Sequence, residues 1–403
     1  MKDNVRQQNI PRARPSEGVR APGGATSINT GESAEGRLSQ KGKSMKLKRI
    51  LSLLLCAAML AGMVCTTAFA EDAEEEETAL TQVSVSTADD LVTYLQKEGN
   101  YEITITADLE PSAALTPTLG TGTKVINGQS HTSSKNITLT CDADTSLEVK
   151  DFSVYRINVS GSNDVLTLSG SAAVTYRVYL TNTDNSTTLN VQDMAKIASV
   201  YTGYGTINIQ DQVTVTTLRN SYGPVTVSDE ATVGTLTLSS SSSTLVIGDQ
   251  ATVTTSTISS GATAAVSGSA SLGSMTVTGT ADISGNVTSS GTLTVSSGGT
   301  ANVSGDVALD IVTVNSGGTL KLSDNVAVSG TLTNKGAAYL DNTGGSVETL
   351  SVQGTETKVS GGVTVNNVAF ASTLATLTLA GNFKFTSLTH ANSSSNYTVT
   401  TPY

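Results

Sequence analysis

Thirteen times between Val149 and Leu379 a branched aliphatic residue is followed two positions later by Gly, Asp or Asn, at intervals of 17 to 23 residues. A repeat of about twenty residues cannot bury its apolar face alone, so the chain is expected to fold as a stack of near-equivalent turns. The aliphatic positions are Val149, Leu168, Val191, Ile209, Val227, Ile247, Val266, Ile283, Val303, Leu322, Leu340, Val359 and Leu379. The turn residues that follow are Asp151, Gly170, Asp193, Asp211, Asp229, Asp249, Gly268, Gly285, Gly305, Asp324, Asn342, Gly361 and Gly381. Each is a type that tolerates a left-handed or tight-turn backbone.

Within one turn the apolar residues alternate with polar ones, as in Ala231-x-Val233 and Leu236-x-Leu238, which predicts short strands separated by turns. Aromatics are 4% of the chain and tryptophan is absent, so a wide core filled with large rings cannot be built, whereas a narrow shaft of stacked Val, Ile, Leu and Ala can. Successive turns should pair as parallel strands about 4.8 Å apart, giving a rod on the order of 60 Å long. The uneven steps favour an all-β, single-stranded parallel β-helix of the right-handed type over the more regular left-handed one. The Gly-Gly-x-Gly-x-Asp runs of calcium-binding nonapeptide repeats do not occur. Such a solenoid needs a cap, and Thr87-Ala88-Asp89-Asp90-Leu91 opens an N-capped amphipathic helix ending near Gly99-Asn100, after which Tyr101 to Thr106 is read as the first strand.

Met45-Lys46-Leu47-Lys48-Arg49, the apolar stretch Ile50 to Val64 and Ala68-Phe69-Ala70 together form a secretory signal with cleavage after Ala70. The expected organisation is an upstream extension outside the native protein over 1–44, a signal peptide over 45–70, an acidic flexible leader over 71–82 and the solenoid over 83–403. The solenoid divides into a cap over 83–100, rungs over 101–389 and a frayed or truncated end over 390–403. Past Ala70 the chain keeps 12 of its 23 bases and 30 of its 34 acids, which argues against a nucleic-acid partner. No membrane span is expected after signal cleavage, no Leu-Pro-x-Thr-Gly sorting signal is present, and the only cysteine past Ala70, Cys141, is read as a buried structural thiol.

The order of signal peptide, acidic leader, Thr-Ala-Asp-Asp-Leu helix, Ile103-Thr104-Ile105-Thr106-Ala107-Asp108-Leu109 strand and Val125-Ile126-Asn127-Gly128-Gln129-Ser130-His131 resembles the pectate-lyase-like adhesive β-helix proteins secreted by Gram-positive bacteria. The resemblance covers residues 82 to 403 and implies an extracellular protein engaged in adhesion. Asn127 and Ser130 stand where the family pattern has Asp and Gly, so His131 is read as a structural turn residue.

Three outward ladders follow from the repeat. Tyr155-Arg156, Tyr176-Arg177 and Lys196 are spaced 21 and 19 residues apart and should lie one above another, a candidate glycan-binding face in which rings meet sugar faces and cations meet hydroxyls or carboxylates. Asp193, Asp211, Asp229 and Asp249 share the turn position in consecutive rungs. They either satisfy turn chemistry or form a column that would accept a hard cation such as calcium. Thr235-x-Thr237, Thr255-x-Thr257, Ser274-x-Thr276, Thr292-x-Thr294, Thr331-x-Thr333 and Thr349-x-Ser351 should form a hydroxyl-and-methyl array, broken at Ile311-x-Thr313, on a grid of about 4.8 by 6.7 Å like the ice-contact faces of solenoid antifreeze proteins.

No phosphate loop, nucleophile elbow or dinucleotide fingerprint occurs, and with only His131 and His390 a Ser-His-Asp triad is not expected. The leading expectation is a secreted, non-enzymatic adhesin, released or loosely held at the cell surface, that contacts glycans or other extracellular macromolecules. Two alternatives stay open: a calcium-dependent polysaccharide lyase, whose central rungs would have no Lys or Arg between Arg219 and Lys321 to act as base, and an ice-binding protein.

Overall fold

The computed structural model of the protein describes residues 79–142, 144–354, 356–371, 375–381, 383–390 and 398–400. The expected extension, signal peptide and first part of the acidic leader lie outside the described residues. What is described is an all-β parallel solenoid of about 16 turns, with one strand per turn in a 17-stranded sheet and the return path in a 16-stranded sheet. The thirteen aliphatic positions pair one with the next without a break from Val149 to Leu379, and all are within 2% of full burial except Leu379, at 8%. Val83, Ile103 and Ile126 continue the same column below Val149.

Uneven step lengths are absorbed chiefly at one corner, with one-residue bulges in the second sheet, so the aliphatic column of the first sheet keeps its register. The 23-residue step from Leu168 to Val191 loops out through Thr181 to Thr187, whereas two residues, Ser221 and Tyr222, make the same corner two rungs later. The strands of the second sheet carry a bend: in Thr232–Leu238 the outward residues Gly234 and Thr235 sit side by side between buried Val233 and Leu236. At this bend the backbones of adjacent rungs press together. A Cβ at Gly273 would lie 2.0 Å from the carbonyl oxygen of Thr254, so only glycine fits there.

At the opposite corner the residue two after each aliphatic marker adopts a left-handed backbone, from φ 50 at Asp151 to φ 86 at Gly381. Asn342 departs from this rule. Its strand runs on through Ala337–Asn342, its side chain is buried and donates to the Val326 carbonyl at 3.0 Å, and Gly345, at φ 74, takes the left-handed place instead.

The cap helix forms over Ala88–Gln96, with Thr87 Oγ1 accepting from the Asp90 amide at 3.2 Å, and its Leu91 and Leu95 close the shaft. A strand precedes it. Thr81–Val85 pairs in parallel with Tyr101–Ile105, so Thr81 and Gln82 belong to the solenoid and not to the leader, and Tyr101 opens the second strand of its sheet. The alternation Val83-x-Val85 drives this, placing both valines on the core. At the other end, where fraying was expected, Thr398–Thr400 adds a strand alongside Thr376–Leu379.

A lysine locks the cap to the first rungs. Lys124 is fully buried, and its Nζ donates to the carbonyls of Gly99, Gly120 and Thr121 at 2.6, 3.2 and 3.0 Å while lying 5.5 Å from the Tyr101 ring centroid. Burial holds its amine below the ordinary lysine range. Lys124→Met keeps the volume but leaves three carbonyls without this donor. It should lower the free energy of unfolding by about 3 kcal/mol, read as a fall in the urea midpoint.

Candidate functional site

The tyrosines and arginines singled out from the sequence stand on the second sheet, on the strands Ser153–Val159, Ala173–Leu180, Lys196–Thr202 and Thr214–Asn220. Arg156 pairs with Arg177, and the rings of Tyr155 and Tyr176 stack with centroids 5.0 Å apart and planes 8° from parallel. Lys196 is not part of this column. It pairs with Ala173, and the strand then slips by a bulge so that Val200, not Ile197, sits above Val178. Spacing counted from Ile197 placed Lys196 four residues away from its true partner.

A neighbouring column, two residues further along the strands, holds residues that the spacing of 19 missed. Asn158, Tyr179, Tyr201 and Arg219 follow one another in register. The Arg177 guanidinium lies 4.1 Å from the Tyr201 ring centroid and 5.0 Å from that of Tyr176, while Arg219 approaches the same Tyr201 ring at 5.8 Å. Arg156 lies 5.7 Å from the Tyr179 ring and donates from Nε to Asn158 Oδ1 at 2.6 Å. At the corner beside this face Tyr204 and Tyr222 stack at 4.4 Å. The signal that locates Tyr201 and Arg219 is the step sequence itself: 22 and then 18 residues from Tyr179, tracking the 23 and 18 of the aliphatic markers Leu168, Val191 and Ile209.

The four aspartates do stack, and each carboxylate accepts a hydrogen bond from backbone. Gly170 N–H donates to Asp193 Oδ2 at 2.8 Å, Asp193 N–H to Asp211 at 3.1 Å, Asp211 N–H to Asp229 at 3.3 Å and Asp229 N–H to Asp249 at 3.5 Å. Each carboxylate thus accepts from the left-handed turn amide one rung earlier, and Asp324 does the same for Gly305 at 3.0 Å. Charge-assisted bonds of this kind offset the repulsion between stacked carboxylates. In each carboxylate of the column it is Oδ2 that accepts from backbone. Among the described residues no group of three or more His, Cys, Asp or Glu side chains gathers as a metal site. The aspartates thus form a spine that ties turn to turn.

The hydroxyl array is in register. Thr237, Thr257, Thr276, Thr294, Thr313, Thr333 and Ser351 form one unbroken column. The companion column, which includes Thr235, Thr255 and Ser274, is interrupted at Ile311, whose side chain is 41% exposed. The expected break therefore affects one column and spares the other. Ser256, between Thr255 and Thr257, points inward and is buried.

His131 lies in the turn of Gln129 and Ser130, both left-handed, with Nδ1 3.4 Å from Asp108 Oδ1. The Thr132 amide donates to that same oxygen at 2.8 Å, and this bond, with His131 beside it, holds the Asp108 carboxyl below its ordinary range. Cys141 sits in the shaft, where burial pushes its thiol up, away from reactivity. No helix among the described residues is long and apolar enough to cross a membrane. The chain matches no family model, no curated protein and no solved structure.

If the aspartates serve the backbone, Asp211→Ala should cost about 2 kcal/mol by combining left-handed strain with loss of the acceptor, and Asp211→Gly roughly half of that. Adding calcium should leave the Tm of the unaltered protein where it was, as followed by scanning calorimetry.

Proposed function

We propose that the protein is a secreted, non-enzymatic β-solenoid of the adhesive, pectate-lyase-like kind found in Gram-positive bacteria, and that its Tyr–Arg face contacts glycans or other extracellular macromolecules. One observation carries the reading. Tyr155, Arg156, Tyr176, Arg177, Tyr179, Tyr201 and Arg219 stand together on the outside of four adjacent strands, held by ring stacking and cation–ring contacts. Backbone pairing on either side of each strand fixes these side chains without a ligand, so little ordering entropy opposes binding. Aromatic and arginine side chains of this kind dominate the energetics of binding surfaces.

Binding to a glycan array tests this. Changing Tyr155, Arg156, Tyr176 and Arg177 together to Ala should abolish the signal, while changing Lys196, which stands off the column, should leave it within about twofold. An unaltered signal in the quadruple variant would remove this face from the reading.

The lyase alternative is not proposed: its acidic column serves backbone amides, and no Lys or Arg stands in the central rungs to take a proton. Ice binding keeps one specific support, the seven-residue hydroxyl column from Thr237 to Ser351. That reading requires thermal hysteresis that disappears when Thr257 and Thr294 are both replaced by Tyr.

A further inference from the structure

We infer that the Tyr–Arg face takes a linear anionic glycan laid along the solenoid axis, its carboxylate or sulfate groups held by Arg156, Arg177 and Arg219. This rests on the glycan-binding reading above and narrows it to one charge class.

The first ground is where the charges lie. Past Ala70 there are 30 acids and 12 bases, and all three arginines among those bases, Arg156, Arg177 and Arg219, are on this face. The strands of the second sheet contain no Asp or Glu from Thr138–Cys141 through Ala327–Asn334, and Glu348 is the first acid to appear on them. Acids stand instead in the turns and on the other sheet, as with Glu148, Asp282 and Glu356. Keeping carboxylates off the strands from Thr138–Cys141 through Ala327–Asn334, and placing there all three guanidiniums found past Ala70, creates a local positive field on a negative body. Among the described residues none of these arginines has a carboxylate within ion-pair distance.

The second ground is which groups remain free to bind. Tyr155 and Tyr176 cover each other, Arg177 lies against the rings of Tyr176 and Tyr201, and Arg219 shares the Tyr201 ring. Ring faces that could have received a neutral sugar are thus largely taken up by one another and by guanidinium planes. With Nε of Arg156 engaged by Asn158 and Nε of Arg177 buried, a guanidinium held by its face keeps its terminal Nη–H groups for a planar or tetrahedral oxyanion, a geometry a lysine ammonium does not offer. The arginines occupy the first, second and fourth of four parallel strands, so they span three steps of the ladder, about 14 Å along the axis. Each step is close to the advance of one pyranose in an extended chain, so an axial polymer can present anionic groups to Arg156 and Arg177 on neighbouring rungs of one column and to Arg219 two rungs on in the adjacent column. Beyond Arg219 the sheet continues as the neutral threonine columns, which offer hydroxyls and no repulsion to the rest of the chain.

Titration of the protein with polygalacturonate, dextran sulfate and unsubstituted dextran, each in EDTA so that no cation can bridge, tests the inference. Binding of at least one polyanion and not of dextran is expected, weakening steeply as salt is raised. Whichever polyanion binds more tightly identifies carboxylate or sulfate as the preferred group. Arg219→Gln, on the most exposed of the three arginines, should weaken polyanion binding about tenfold, and Arg177→Gln by at least as much. Arg219→Lys, which keeps the charge and loses the fork, should recover only part of that loss. Dextran bound as tightly as dextran sulfate, or polyanion binding indifferent to both Arg→Gln changes, overturns the anionic assignment while leaving glycan binding in place. No binding to these polymers, together with a silent glycan array, overturns both.

Discussion

Every outward and inward position of this protein is set by one ladder of backbone hydrogen bonds running along the axis, in which each strand pairs in parallel with its counterpart about twenty residues away in sequence. Because side chains alternate with a period of two, one register holds an entire column inside, and a slip of one residue would turn Ile247 and Val266 out to water. The aliphatic column and the ladder stabilise each other: burial of the markers forbids slippage, and pairing keeps the markers stacked. Loops of unequal length are tolerated because they lie at a corner outside the aliphatic column.

Function, on this view, comes from letting the same ladder stack outward residues. A solenoid surface is a row of copies, so a side chain placed on one rung acquires neighbours about 4.8 Å away from the rungs on either side. Tyr176, Arg177, Tyr201 and Arg219 use this to make a rigid cationic and aromatic face from residues that would be scattered in sequence. The aspartate spine uses it differently, joining carboxylates to turn amides and so strengthening the corner where every rung must turn left-handed.

Much of the fold was legible in the sequence for local reasons. The thirteen aliphatic markers, the turn residues behind them and the Thr87 helix cap each depend on alternation, on left-handed tolerance or on a single capping bond. Less of the candidate face could be read. Tyr155, Arg156, Tyr176 and Arg177 were found because Arg156 and Arg177 pair directly at the spacing of 21 counted in the sequence. Lys196 was misplaced, and Tyr201 and Arg219 were left out of the ladder, because the long corner from Thr181 to Thr187 stretches that step, and the bulge between Ile197 and Val200 then takes back one residue. Lys124 gave no signal at all, since a lysine in Gly122–Asn127 reads as solvated until the carbonyls of Gly99, Gly120 and Thr121 converge on it.

By itself the sequence determined that this protein is a coil of stacked parallel turns, because strand alternation and turn chemistry act over a few residues and recur without interruption. Only the tertiary structure decided which outward side chains touch, that the aspartates bind amides and that Asn342 yields its turn to Gly345. Those outcomes depend on where each loop and bulge returns the chain to the ladder, a distance in space that the count of residues between two positions does not fix.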